Sequence, residues 1–124
     1  MLAFGNTTEP IHRADTSEFK RNSLSAISSV AGADELLEPV RLAPSASNSQ
    51  PWFFSGDADA ITVSRKKLNL LRAQLYGKMN QIDIGIALFH LWLSADNLGK
   101  EVSYDFTKAV APNGYEFTVT VKVL

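Results

Sequence analysis

The sequence predicts an α+β domain in which an antiparallel sheet packs on a long central helix. The stretch Tyr115–Val123, "YEFTVTVKV", alternates apolar and polar residues with period two, the pattern of a half-buried strand. "MNQIDIGIALFHLWLSADNLG", from Met79 to Gly99, carries apolar residues at helical spacing on more than one side. The stretches between the expected strands, "SGDAD" and the one holding Pro112, Asn113 and Gly114, suit antiparallel returns better than helical crossovers.

From the N-terminus, "MLAFG" is a short apolar run closed by a glycine and reads as the end of a strand, so the chain is expected to be the C-terminal part of something longer. Residues 1–19 are expected to form an extended arm, because Asn6 to Phe19 is mostly polar, contains Pro10 and keeps no period. Residues 20–124 are expected to form the domain itself. In "SEFKRNSLSAISS", Lys20 and Arg21 stand just before a short helix-like stretch. "ADELLEPVRLA" sets Leu36, Leu37, Val40 and Ala43 at helical spacing behind Asp34, an N-cap or first-turn acid. Pro39 implies that this helix is kinked or starts near Pro39, and Pro44 ends it.

"WFF" and "AITVS" read as the two strands of a hairpin around "SGDAD". "RKKLNLLRAQLYGK" reads as a loop with a helical turn, and its Arg65, Lys66 and Lys67 as a solvated basic edge. In the central helix, Ile82, Ile86, Phe89 and Leu93 form one apolar face, and Ile84, Leu88, Leu91 and Ala95 another. Asp83, Ala87, His90, Ser94 and Asn97 leave only a narrow small or polar stripe. Such a helix is expected to be buried, or partly buried by a second subunit, with Gly99 as its C-terminal stop. Asp83 and His90 interrupt a run too short for a membrane span. Finally, Val102, Tyr104 and Phe106 share a face of "EVSYDF", as do Tyr115, Phe117, Val119, Val121 and Val123 of the last strand.

Bulk properties narrow the function. The 124 residues fit one domain, and 45% apolar content is that of an ordinary globular protein. Twelve basic and 13 acidic residues give a net charge of -1, so no global field favours nucleic acid or an anionic membrane. A nucleic-acid site at Arg65–Lys67 would also lack interleaved aromatics. Without cysteine there is no disulfide, thiol catalysis or thiolate metal site, which suits a reducing cytoplasm. His12 and His90 lie far apart and show no metal-ligand spacing.

No nucleophile elbow, phosphate-binding Gly-rich loop or two-histidine metal motif is present, so any catalysis is expected to borrow its chemistry from a cofactor. Two segments could hold an anionic, planar one. In "KRNSLS", Arg21 can contact a phosphate bidentately while Ser23 and Ser25 supply hydroxyls near a helix start. In "RLAPSASNSQPWFF", Pro44 and Pro51 fix φ at both ends, and Ser45, Ala46 and Ser47 are small enough for a ligand to approach the backbone. Asn48 and Gln50 can each donate and accept, as a heterocycle edge requires. The competing reading of this loop is an Asx-type turn with Trp52 as ordinary core.

"RLAPSASNSQPWFF" resembles the motif that nitroreductase-family flavoproteins carry after their first core helix. "RNSLS" stands where that family has its basic phosphate-binding segment, and the Met79–Gly99 stretch, with Asp83 and Gly85 at its start, is similar to the family's long central helix. The arrangement is most similar to the C-terminal part of nitroreductases with a tandem, duplicated organisation. The resemblance implies a nitroreductase-like fold and an FMN-dependent oxidoreductase that takes hydride from NAD(P)H and reduces nitroaromatic or quinone-type acceptors. It implies that Arg21, Asn22, Ser23 and Ser25 meet the phosphate and ribityl chain, and that Pro44, Ser45, Ala46 and Asn48 line the flavin. It further implies a homodimer, or pairing with a missing N-terminal half, with no catalytic side chain of the chain's own and no metal. Ser25 stands where the family's segment normally ends in Arg or Lys, which motivates an alternative: a non-catalytic nitroreductase-like half-domain serving dimerisation or a structural role.

Overall fold

The hairpin expected around "SGDAD" forms in the computed structural model, which describes residues 4–124. Strand β1 (Trp52–Asp57) pairs antiparallel with β2 (Ala60–Lys66) across a two-residue turn, so the strands extend further into "SGDAD" than their apolar residues indicate. Gly56 makes this possible: its φ is +97°, and a Cβ there would lie 2.5 Å from the Ala60 carbonyl oxygen. β4 (Tyr115–Val123) pairs antiparallel with both β2 and β3 (Val102–Asp105), giving one sheet in the order β1-β2-β4-β3. The period-two reading of β4 holds, with Val119, Val121 and Val123 buried in the core.

Three helices accompany the sheet: α1 (Leu24–Ile27), α2 (Asp34–Arg41) and α3 (Leu70–Asn97). A single 3-10 turn, Thr16–Glu18, breaks the N-terminal arm, capped by Asp15 and Glu18 in a reciprocal capping box. Within α2, Pro39 sits inside a helix that begins at Asp34, so the alternative of a start near Pro39 is corrected. Leu36, Leu37 and Val40 all face the core, and their burial outweighs the hydrogen bond that Pro39 cannot donate. Of the strand end expected over Met1–Gly5, residues 1–3 lie outside the described residues, and Phe4 and Gly5 carry no regular structure.

Helix α3 departs from expectation in two ways. It starts at Leu70, not Met79, so the supposed loop "RKKLNLLRAQLYGK" is mostly helix. Asn69 caps it by accepting the Arg72 N–H at 2.9 Å, and a run of straight-chain Leu, Arg, Gln, Lys and Met sustains it past Gly77. Second, the core-facing side joins one of the two expected apolar faces, that of Ile84, Leu91 and Ala95, to part of the small and polar stripe, while the other apolar face lies outside. Asp83, Ala87 and Ser94 are buried together with Ile84, Leu91 and Ala95, whereas Ile82, Phe89 and Leu93 are exposed. Small Ala87, Ser94 and Ala95 let α3 approach α2 closely beside Ile84 and Leu91. The helix ends as expected: Gly99 has φ +70°, the Lys100 N–H donates to the Ala95 carbonyl and the Gly99 N–H to that of Asp96, a Schellman arrangement.

Candidate functional site

The two segments singled out in the sequence meet in space. After α2 the chain runs through Pro44 into a 3-10 turn, Ala46–Asn48; Ser47 and Asn48 within it and Gln50 just beyond it hold positive φ, at 51°, 53° and 45°. Non-glycine residues adopt that region at a cost, so the turn needs support from its surroundings. Inside the loop the Gln50 N–H donates to Ser45 Oγ at 2.9 Å. From below, Asp83 of α3, only 2% exposed, accepts the Ala46 N–H on Oδ1 at 2.9 Å. The other oxygen of that carboxylate is buried without a hydrogen-bond partner among the described residues.

From the side, the turn is tied to the Lys20–Ser25 segment. Arg21 Nη1 donates to Asn48 Oδ1 at 2.8 Å, and Asn48 Nδ2 donates to the Lys20 carbonyl at 2.6 Å. Arg21 Nε donates to the Ala43 carbonyl at 3.2 Å. Gln50 Oε1 accepts the Asn22 N–H at 2.8 Å, and Arg41 Nη1 reaches the Asn22 carbonyl at 3.4 Å. Arg41 is itself held by Glu38; their hydrogen bonds lower the Glu38 carboxyl and raise the Arg41 guanidinium from their ordinary pKa values.

Of the sequence-predicted residues, Arg21 is half-buried beside the Phe19 ring, with its Nη2 making no hydrogen bond among the described residues. Asn22, Ser23 and Ser25 are exposed, the two serine hydroxyls 3.1 Å apart. Pro44 and Asn48 are exposed, while Ser45 and Ala46 are half-buried. Arg21 and Asn22 are thus joined to the loop, whereas the hydroxyls of Ser23 and Ser25 bond only each other among the described residues. The amide of Asn48 is engaged at both ends within the chain, so it shapes the turn as an Asx residue would. What the patch still offers is one guanidinium edge, small hydroxyls and a backbone that can be approached closely. Those donors fit a phosphate and a polyol chain, and they lie open to solvent.

On the other side of the same turn lies a cavity of about 540 Å³, bounded by Ala46–Ser49, by the Lys66–Asn69 connection and by the first turns of α3 down to Asn80. The supposed basic edge is divided there. Arg65 pairs with Glu116 across β2 and β4, whereas Lys66 and Lys67 line the cavity together with Arg72. Sequence reading missed this trio because it took residues 65–78 as a loop with a helical turn; with α3 begun at Leu70, Arg72 lines the same cavity as the lysines. Among the described residues, no group of His, Asp or Glu could hold a metal ion, and no helix is long and apolar enough to cross a membrane.

Residues 1–95 match the family described as "Putative TM nitroreductase". No curated protein matches the chain. Among solved structures, a "putative nitroreductase" from Thermotoga maritima is 24% identical with a TM-score of 0.48; the match covers 94% of this chain and 43% of that one. A structure described as an oxidoreductase containing FMN is 19% identical with a TM-score of 0.52, covering 98% of this chain and 81% of the other. The chain therefore spans less than half the length of the Thermotoga protein.

Proposed function

The chain belongs to the nitroreductase family that its first 95 residues match, and on that premise we propose that it forms part of an FMN-dependent oxidoreductase drawing hydride from NAD(P)H and reducing nitroaromatic or quinone-type acceptors. Its fold is nitroreductase-like, an α+β sheet on a long helix. The observation that carries the reading is the meeting of "KRNSLS" with the proline-bracketed turn, through the Arg21–Asn48 hydrogen bond. A bound flavin supplies the redox chemistry, and the protein binds, orients and shields it. In this reading Arg21 offers its free Nη2 to the phosphate, with Asn22, Ser23 and Ser25 along the phosphate and ribityl chain. Pro44, Ser45, Ala46 and Asn48 form the ring side, where small residues admit close approach.

A second surface completes the site, from a second copy of the chain or from an N-terminal half of a longer protein. The exposed Leu71, Leu75, Ile82, Phe89, Trp92 and Leu93 along α3 support such a partner, because an apolar surface of that extent is characteristic of an interface. A cytoplasmic location belongs to the same proposal. A second reading, a non-catalytic half-domain, is favoured by the full engagement of the Asn48 amide and by serine at position 25.

The test is the visible absorption spectrum of the protein after reconstitution with FMN, followed by titration of the cofactor. Bound flavin is expected, and Arg21→Ala is expected to weaken it about tenfold through loss of a charge-assisted phosphate contact. Protein that stays colourless on reconstitution overturns the flavoenzyme reading. Oxidation of NADH by the 124-residue chain with FMN and a quinone would exclude the half-domain reading.

A further inference from the structure

The N-terminal arm, which the sequence offers only as an extended lead into the domain, brings a second guanidinium to the Arg21 patch. The Arg13 Cζ lies 4.4 Å from the centroid of the Phe19 ring, and the Arg21 Cζ lies 5.8 Å from the same centroid. Each cation is attracted by the negative face of that ring. The two like charges it gathers repel each other, and an anion within reach of both relieves that repulsion.

The placement of Arg13 is built into the arm. Glu18 Oε1 accepts the Ala14 N–H at 2.8 Å and the Asp15 N–H at 3.1 Å, and Asp15 Oδ1 accepts the Ser17 N–H at 2.7 Å. These bonds and the 3-10 turn they cap hold the chain between Arg13 and Phe19 in one shape, so the two residues meet without further ordering. They also engage both carboxylates of the turn with main-chain N–H groups. Among the described residues Arg13 enters no salt bridge, whereas Arg41, Arg65 and Lys122 each do.

Charge decides what the pair can do. A phosphate monoester carries about -1.5 to -2 at pH 7. Arg21 balances one unit of that and has only Nη2 left to donate, since Nε and Nη1 already serve Ala43 and Asn48. We infer that Arg13 is a further phosphate-binding residue, supplied by the arm, which closes on the phosphate that Arg21 receives and makes the site select a phosphorylated ligand over its unphosphorylated form. The inference rests on the flavin reading above and names the residue that completes its phosphate end. Arg13 is exposed and leaves the Phe19 ring readily, because a charge-assisted hydrogen bond to phosphate is stronger than an exposed cation–π contact.

Titration of the full chain with FMN and with riboflavin, followed by flavin fluorescence, tests it. The parent is expected to bind FMN more tightly than riboflavin. Arg13→Ala should weaken FMN about tenfold, the loss of one charge-assisted contact, and leave riboflavin unchanged. Arg13→Lys, which keeps the charge without the planar fork, should fall between the two. Lys108→Ala, which removes an exposed charge elsewhere, should change neither ligand. Arg13 is exposed, so its replacement leaves the fold intact. Unchanged FMN binding in Arg13→Ala, an equal loss for riboflavin, or an equal loss in Lys108→Ala overturns this inference and leaves the flavin reading standing. A parent protein that binds neither flavin overturns both.

Discussion

Two polar regions flank one short turn, and they have opposite characters. On the Arg21 side, Asn48, Gln50, Asn22 and Arg41 bond one another and the main chain, joining residues 19 to 28 positions apart into a closed circuit. On the Lys67 side, Lys66, Lys67 and Arg72 line a cavity and enter no salt bridge among the described residues. Both regions look alike in composition. They differ in where their hydrogen bonds end, and so in what each contributes: the closed circuit builds a shape, and the open one exerts a field. A polar side chain whose partners lie within the chain stabilises the fold, whereas one without such partners costs stability until something else arrives.

The largest expected effect comes from the hydrophobic core of the whole domain. Phe54 is fully buried, and its carbonyl accepts the Ser29 N–H at 2.9 Å, anchoring the segment that follows α1 to β1. Phe54→Ala should cost about 3–5 kcal/mol in urea unfolding and weaken both regions together. Next comes Asp83→Ala, which removes the acceptor beneath the turn and should cost about 2 kcal/mol. Amide hydrogen exchange at Ala46 should speed up in that variant, and Asp83→Asn should restore part of the protection.

The direct comparison pairs Asn48→Ala with Lys67→Ala. The first opens the closed circuit and should cost about 1 kcal/mol, while the second should stay within about 0.5 kcal/mol of the parent. Equal costs would erase the distinction between the two regions. The smallest effect serves as a remote reference. Asp105, on β3, is pushed down from 3.8 to about 2, mainly by hydrogen bonds from Thr107 and then by Lys122 at 3.0 Å. A carboxyl whose folded value is depressed contributes stability above its unfolded value and loses it as pH falls through the folded one. The contribution should therefore fade between about pH 4 and pH 2 and be absent from Asp105→Asn, as acid unfolding curves with an NMR titration of Asp105 would show.

Much of the fold was legible before any coordinates. The hairpin, the alternation of β4 and the Gly99 stop follow from patterns only a few residues long, where local stereochemistry dominates. The start of α3 was not legible, because Leu70, Leu71 and Leu75 are exposed and give the segment no core-facing stripe, leaving propensity and the Asn69 cap as the only signals. The orientation of α3 was hidden for a related reason: with apolar residues on most sides, hydropathy alone cannot tell which face meets the core and which meets a partner. Of the candidate site, the contact between "KRNSLS" and the proline-bracketed turn was legible as a pair of segments with one role. That Asn48 would bond Arg21, and that Lys66 and Lys67 would part company with Arg65, depended on pairings across the fold that one sequence does not display.

The left-handed backbone at Ser47, Asn48 and Gln50 sets a limit on what evolution or a designer can write there. Side chains branched at Cβ collide with the main chain in that conformation, so a randomised library across these three positions, selected for folding, should return glycine, asparagine, aspartate and unbranched polar residues. It should be almost empty of valine, isoleucine and threonine.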